Sequence, residues 1–408
     1  MISYFFLEKF LVYLGLPSYI SYGTDIICLW MLLYLIMQKR ATTLVKFAKW
    51  PVICVISMLI IAALSVIVNL ENSNALWLLW HVRNYYRMIV FWTGCIVWLR
   101  PNDIERIMKF FIVMQFANVF MCTIQYFIFG YSGDNLGGVF GVEKGVNGDM
   151  NILLCIVAVY AMIKYLNKEI NIPACIAIMA GCVYIAALAE LKIVFIEIVV
   201  IVVSAALIVR PSFKSIGLTI VSIIVLLLGI NLLGKAFPKS ADFYNLDTLI
   251  NYANINYGTK TGLSRMNGAQ TMYNLFLHTP LQEVFGIGAG NAGTAQFSFL
   301  NSNFAKAYEG IFHYTYNYTA MIIIETGLAG IVTNLAFFIS NIVEAIKIYK
   351  NQATSSEVQA ALIFGILTLI LIMYNAVFRS EAGYLAYFVL AIPFVYRRVA
   401  IDHKARES

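Results

Sequence analysis

Long apolar stretches separated by short polar turns dominate the chain, and the pattern breaks once. Apolar runs about long enough to cross a bilayer begin near Thr24, Pro51, Met88, Phe110, Asn151, Ile172, Ile193, Ile216, Tyr316, Val358 and Ala382, which predicts about eleven membrane-spanning helices. Met1 to Leu16 is also apolar, but it is short and followed by Pro17. It reads as a twelfth span, a re-entrant piece or an interfacial helix. It lacks the basic start and small-residue cleavage site of a signal peptide, so no removed leader is expected. Between Gly234 and Thr315 the apolar rhythm gives way to about eighty mixed, Gly- and Asn-rich residues. The expected organisation is therefore N-terminal transmembrane helices over 1–233, a large loop over 234–315, C-terminal transmembrane helices over 316–396 and a basic tail over 397–408.

Composition agrees: the 408 residues are 61% hydrophobic and 12% charged, with a mean hydropathy of +0.80. That excludes an ordinary soluble domain and points to an all-α polytopic integral membrane protein. The seven cysteines lie inside apolar runs with no paired metal spacing, which suggests neither a zinc site nor a disulfide framework. The formal charge of +7 suggests nucleic acid only until it is mapped. Lys39, Arg40, Lys46 and Lys49 share one loop. Arg100, Arg106 and Lys109 follow, then Lys164 and Lys168, Arg210 and Lys214, Lys347 and Lys350, and the tail from Arg397. Counting spans puts all of them on one side, expected to be cytoplasmic. No nucleic-acid partner is implied. The intervening polar segments, including the large loop, then face outward.

A few charges escape this explanation, and an ionisable group in or beside an apolar span costs several kcal/mol. Arg83 and Arg87 are four apart, so a helix puts both guanidiniums on one face with His81 nearby, as a phosphate-bearing ligand needs. Equally, they are interfacial arginines snorkelling between tryptophans. Glu190 and Lys192 mark an outward hairpin corner, where Lys192 either supplies positive charge to an outer cavity or is simply solvated. Glu197 should face other helices as a structural hydrogen-bond partner. Arg379 and Glu381 occupy another outward corner and could pair with each other. No acidic cluster with divalent-metal spacing stands in the outer loops, so neither a metal nor another cofactor is expected.

The loop text GLSRMNGAQTMYNLFLHTPLQEVFGIGAGNAG, Gly262 to Gly293, carries apolar residues at helical spacing from Ser264 to Phe276. Arg265 would then open an amphipathic helix lying along the membrane surface. GIGAGNAG lacks the Lys-Ser/Thr of a phosphate-binding P-loop and a preceding strand, so its glycines are expected to let the backbone turn sharply rather than hold a nucleotide.

Three pieces of this text together resemble the Wzy-type O-antigen polymerase and O-antigen ligase superfamily. They are Ser264 and Arg265 opening a loop helix; Pro280 followed by Gly286, Gly288 and Gly290; and His313 with Asn317 leading into a span that carries Glu325 and Gly327. The corner at Glu190 and Lys192 also resembles the basic corner of that family. Two departures stand out. Four positions separate His313 from Asn317, which one helix would still bring to a single face, and Lys192 stands where ligase-like members commonly show Arg.

The resemblance implies a GT-C-like fold of about 11–12 transmembrane helices with one large extracytoplasmic loop. It also implies metal-independent, inverting glycosyl transfer from a polyprenyl diphosphate-linked oligosaccharide, at a periplasm-facing site in a bacterial inner membrane. The residues suit that chemistry. A diphosphate leaving group needs cations, for which Arg265 is the first choice, then Arg83 and Arg87, with Lys192 and Arg379 in support. His313 is the candidate base or orienting acceptor for the acceptor hydroxyl. Glu190, Asn317, Glu325 and Glu381 are expected to support these groups. The acceptor is a second lipid-linked repeat in a polymerase and a lipid A core in a ligase. A chain-length regulator and a flippase are the implied protein partners, beside membrane lipids. A polysaccharide or ion transporter is the alternative from another class; it predicts ionisable residues lining a path through both faces.

Overall fold

A computed structural model describes residues 1–38, 41–209, 262–352 and 355–407. Helices α1 (Ile2–Tyr13), α2 (Gly23–Met37), α3 (Ala41–Val68), α4 (Ala75–Trp98), α5 (Pro101–Phe127), α6 (Val146–Leu166), α7 (Ile172–Leu188) and α8 (Ile193–Val209) form the N-terminal part. The short helices α9 (Gly268–Phe276), α10 (Pro280–Phe285) and α11 (Asn303–Phe312) precede α12 (Tyr318–Gln352), α13 (Ser356–Tyr374) and α14 (Gly383–Glu407). Among the described residues there is no strand, and 7 helical stretches are long and apolar enough to cross a membrane, with α7 and α8 as shorter apolar helices. This is the architecture of a multi-pass membrane protein. The span expected from Ile216, and residues 234–261 of the expected loop, lie outside the described residues.

Several boundaries differ from the sequence expectation. The span expected from Met88 is the second half of α4, which starts at Ala75 with Asn74 Oδ1 accepting from the Leu76 N–H at 2.9 Å. Arg83 and Arg87 are thus mid-helix residues. Likewise α5 starts at Pro101, nine residues before the apolar run at Phe110, because proline suits the first helical turn and the Arg100 N–H bonds Asp103 Oδ2 at 2.9 Å.

Two breaks shape the long helices. In α3, Pro51 has no N–H to offer the Phe47 carbonyl, and Ala48 leaves helical geometry (φ −138, ψ 47). Arg397 of α14 donates to that carbonyl at 3.1 Å. In α12 the break is at Gly327 (φ 65, ψ −162), and α10 packs into it. The carbonyls before the break find new donors: the Ile287 N–H bonds Ile324 O at 2.8 Å, and the Ser65 hydroxyl bonds Glu325 O at 2.6 Å. A Cβ on Gly327 would collide with the Val284 carbonyl and the Gly286 nitrogen, so only glycine fits there.

Burial separates inner from outer helices. Membrane-length windows of α6, α13 and α14 are mostly buried, whereas those of α2, α3 and α5 are mostly bare. Ile26, Leu29, Leu33 and Ile36 on α2, and Val113, Phe116 and Phe120 on α5, are exposed. Leaving each such side chain in water would forgo about 1.5–3 kcal/mol, so these faces belong against lipid. Glu197 of α8 is buried against α6, taking bonds from Asn151 Nδ2 at 3.0 Å and Cys155 Sγ at 3.2 Å.

The two ends of the bundle differ in charge chemistry. At one end Lys164 meets Glu357 at 3.2 Å, Arg397 meets Glu344 at 2.6 Å, and Arg398 caps the carbonyls of Val97 and Leu99. This is the end that carries the basic loops. The start of α2 meets α4 and the α13–α14 turn at the other end, through Asp25, Arg87 and Glu381. There the α7–α8 corner, the start of α6 and the residues Arg265, His313 and Tyr316 also gather.

Candidate functional site

A cavity of about 450 Å³ opens at this second end of the bundle. Segments far apart in sequence supply its walls: Asp134 and Lys144 from the α5–α6 connection, Asp149 from the first turn of α6, Glu190 and Lys192 from the α7–α8 corner, and Arg265 from the turn before α9. His313 and Tyr316 precede α12, and Tyr374 and Ser380 flank the α13–α14 turn.

The α7–α8 corner explains how Lys192 reaches the cavity. Helix α7 ends with the Leu191 N–H on Ala186 O at 2.8 Å and the Glu190 N–H on Ala187 O at 3.4 Å, the bond pattern of a Schellman cap. The residue that turns left-handed in such a cap is usually glycine, yet here it is Glu190 (φ 54). His313 (φ 50) plays the same part at the end of α11, where its N–H bonds Glu309 O at 2.7 Å. The described residues with positive φ other than glycine are Lys168, Glu190 and His313, so two of the three line the cavity. A left-handed side chain costs about 1–2 kcal/mol relative to the right-handed form, and strain held at a cavity points to a need for the side chains themselves.

Arg265 is fixed twice over. Its carbonyl accepts from Asn317 Nδ2 at 3.2 Å, while Asn317 Oδ1 caps α12 by accepting from the Ala320 N–H at 3.0 Å. Its guanidinium lies 4.0 Å from the Tyr374 ring centroid and donates to the Tyr374 hydroxyl. Helix α9 starts at Gly268, so Arg265 sits in the turn before it rather than in its first turn; the Ser264 hydroxyl accepts from the Asn267 N–H at 3.1 Å to close that turn. Asn317 and His313 do not share a helix face as their spacing suggested. The left-handed turn at His313 and a 3-10 turn over Tyr314–Tyr316 separate them, and Asn317 works through the Arg265 backbone.

Lys192 is 7% exposed. Burial pushes its pKa down to about 8; Glu190 pulls upward, Arg265 pushes further down, and Asp134 pulls upward. The two cations therefore sense each other across the cavity. His313 keeps 31% of its side chain exposed, with Nδ1 4.0 Å from Glu309 Oε1.

The other cations expected at the site are placed elsewhere. Arg83 and Arg87 do not line the cavity. Arg83 bonds Asp25 Oδ2 through Nε at 3.1 Å and Nη2 at 2.8 Å and stacks over Trp80 at 4.5 Å. Arg87 bonds Asp25 at 3.2 Å and Glu381 at 2.9 Å. The expected pairing of Arg379 with Glu381 gives way to this Arg87–Glu381 pair, because Arg379 turns its guanidinium toward the Tyr85 ring, 5.6 Å away. Burial raises the Glu381 pKa, but Arg87, Lys9 and Arg83 outweigh it and hold the carboxyl at about 2. Glu325 is buried and bonds His81 Nδ1 at 2.7 Å, beside the break in α12.

Sequence reading did not single out Asp25, Asp134, Lys144, Asp149 or Tyr374. A signal existed for two of them, since Asp25 and Asp149 are lone carboxylates at the mouths of apolar runs. Neither a protein-family model nor a curated protein sequence matches the chain.

Proposed function

We propose that this protein is an inverting, metal-independent glycosyltransferase that joins polyprenyl diphosphate-linked oligosaccharide repeats, a polysaccharide polymerase of the O-antigen type. The observation that carries the reading is the convergence of Lys192, Arg265 and His313, from three separate segments, on one cavity at the end of a helical bundle. In this reading the cavity faces outward from the cytoplasmic membrane of a bacterium, opposite the basic loops.

A diphosphate leaving group develops negative charge as the sugar C1–O bond breaks. Arg265, preset by Tyr374 and Asn317, offers a planar fork of donors to it, and Lys192 adds a compact charge. No protonation of the leaving group is needed. The acceptor hydroxyl attacks C1 from the opposite face, which inverts that carbon, and His313 orients the acceptor sugar at the cavity wall. Arg83 and Arg87 are excluded from direct phosphate contact in this scheme because carboxylates occupy them, and Arg379 because it does not line the cavity. A transporter would need a polar path through both ends. The polar residues singled out here instead gather on one cavity at one end of the bundle, and two smaller cavities among the described residues hold only about 10 Å³ each.

The test is glycan length in a strain lacking the gene and complemented with wild type, Arg265→Ala or His313→Ala at matched expression. Polymerase activity predicts loss of the long ladder with a single repeat still attached to its carrier. Arg265→Ala is expected to lower turnover by about 10- to 150-fold, the worth of a charge-assisted bond of about 1.5–3 kcal/mol. Long lipid-linked polymer that never reaches the core would mark a ligase instead, and an unchanged ladder would sink both.

A further inference from the structure

Asp149 lines the same cavity as Lys192 and Arg265. The charges that act on Lys192 are Glu190, Arg265 and Asp134, whereas those that act on Asp149 are Lys9, Glu381 and Glu143. Asp149 stands in the first turn of α6, where the free amides and the helix dipole favour a negative charge. Its Oδ1 accepts from the Ser380 hydroxyl at 2.9 Å, and both residues line the cavity. Among the described residues no hydrogen bond is made to its Oδ2. The result is a cavity-lining carboxylate held in place through Oδ1, with Oδ2 left to accept a further bond.

We propose that Asp149 is the base that takes the proton from the acceptor hydroxyl. This rests on the glycosyl-transfer reading and assigns the step that reading leaves without a proton acceptor. The acceptor O–H bond breaks and its proton goes to Asp149 Oδ2. The oxygen bonds to the donor's C1, and the C1–O bond to phosphate breaks with its electron pair remaining on the diphosphate, between Arg265 and Lys192. Protonated Asp149 then returns its proton to water. What makes the scheme work is that Asp149 is bonded by Ser380 and not by Arg265 or Lys192. A carboxylate bonded to Arg265 or Lys192 would neutralise the cations the leaving group needs and lose basicity itself. Ser380 is the positioning residue, since its hydroxyl fixes the carboxylate plane. Lys9 brings α1 into the site's electrostatics, a part that its short apolar sequence gave no reason to expect.

The experiment uses the full chain in nanodiscs with two readouts: binding of polyprenyl diphosphate alone, and chain extension of a polyprenyl diphosphate-linked repeat. Asp149→Asn is expected to bind the lipid within about twofold of wild type while turnover falls about 100-fold or more, the usual worth of a positioned base. Asp149→Glu should recover part of the loss. Turnover of Asp149→Asn within about threefold of wild type overturns the proposal, whatever the binding. If Asp149→Asn does not fold, Ser380→Ala decides, with about a tenfold fall in kcat at unchanged KM supporting the proposal and an unchanged kcat refuting it. Failure of the underlying reading looks different: wild type extends no repeat, and Arg265→Ala binds the lipid as well as wild type does.

Discussion

Lys192 should make diphosphate binding fall with rising pH. Its pKa is brought from 10.5 down to about 8, so about nine-tenths of the side chains are charged at pH 7 and about one-tenth at pH 9. A charge-assisted bond to phosphate contributes about 1.5–3 kcal/mol, or about 10- to 150-fold in affinity. Bound phosphate draws the pKa back up, so affinity should fall by at most about tenfold per pH unit above pH 8. The sign follows from which state holds the proton. The unfolded chain keeps Lys192 charged up to about pH 10.5 and the empty folded cavity only up to about 8, so this group makes the empty protein more stable as pH rises between those values. Phosphate binding requires the opposite, a charged lysine. The assay is titration of nanodisc-held protein with polyprenyl diphosphate at pH 7, 8 and 9, with Lys192→Arg and Lys192→Gln beside wild type. Lys192→Arg should be flat over this range and Lys192→Gln flat and weaker. A flat wild-type profile, with Lys192→Gln binding equally well, would refute the reasoning.

The Arg83–Asp25–Arg87–Glu381 network is expected to serve the fold: Glu381→Gln leaves Arg87 buried without one of its partners and should lower stability by about 3–5 kcal/mol, read as a fall in the detergent melting temperature. The stabilisation from this carboxylate is full above the ordinary carboxyl pKa of 4.5 and is lost as pH falls toward 2, so acid scans of wild type and Glu381→Gln should converge in that window. Gly327→Ala must displace α10 from the α12 break, and it should reduce the folded yield far more than Gly310→Ala, whose Cβ would meet open space. Glu190→Gly relieves a left-handed side chain and should gain about 1 kcal/mol in thermal stability, while lowering the Lys192 pKa further because a neighbouring negative charge is gone. A Glu190→Gly protein less stable than wild type would show that Glu190 holds the corner through its contacts rather than straining it.

The class of protein was legible because membrane-crossing helices must be apolar along most of their length, and α3, α12 and α13 announce themselves that way. Helix starts were less legible. Stretches interrupted by charge, such as Ala75–Arg87 in α4 and Pro101–Lys109 in α5, carry little mean hydropathy, and capping at Asn74 and Arg100 marks where they start. For the cavity, Arg265, Lys192 and His313 were readable as charges that membrane orientation could not explain, and the structure gathers all three. Arg83 and Arg87 carry the same signature for a different reason. Asp25 is 58 residues from Arg83 and Glu381 is 294 residues from Arg87, and no local pattern links such positions. Asp149 was missed because a carboxylate in a first helical turn ordinarily needs no further explanation.

The bond from Arg397 to the Phe47 carbonyl joins residues 350 apart in the order of synthesis. Helix α3 leaves the ribosome with Pro51 already in place, so the Phe47 carbonyl has no backbone donor and waits for Arg397 of α14. Satisfying that group is therefore an assembly step that follows the making of α14, at the end of the bundle that carries the basic loops. The proline thus ties the resting state of an early helix to the arrival of a late one.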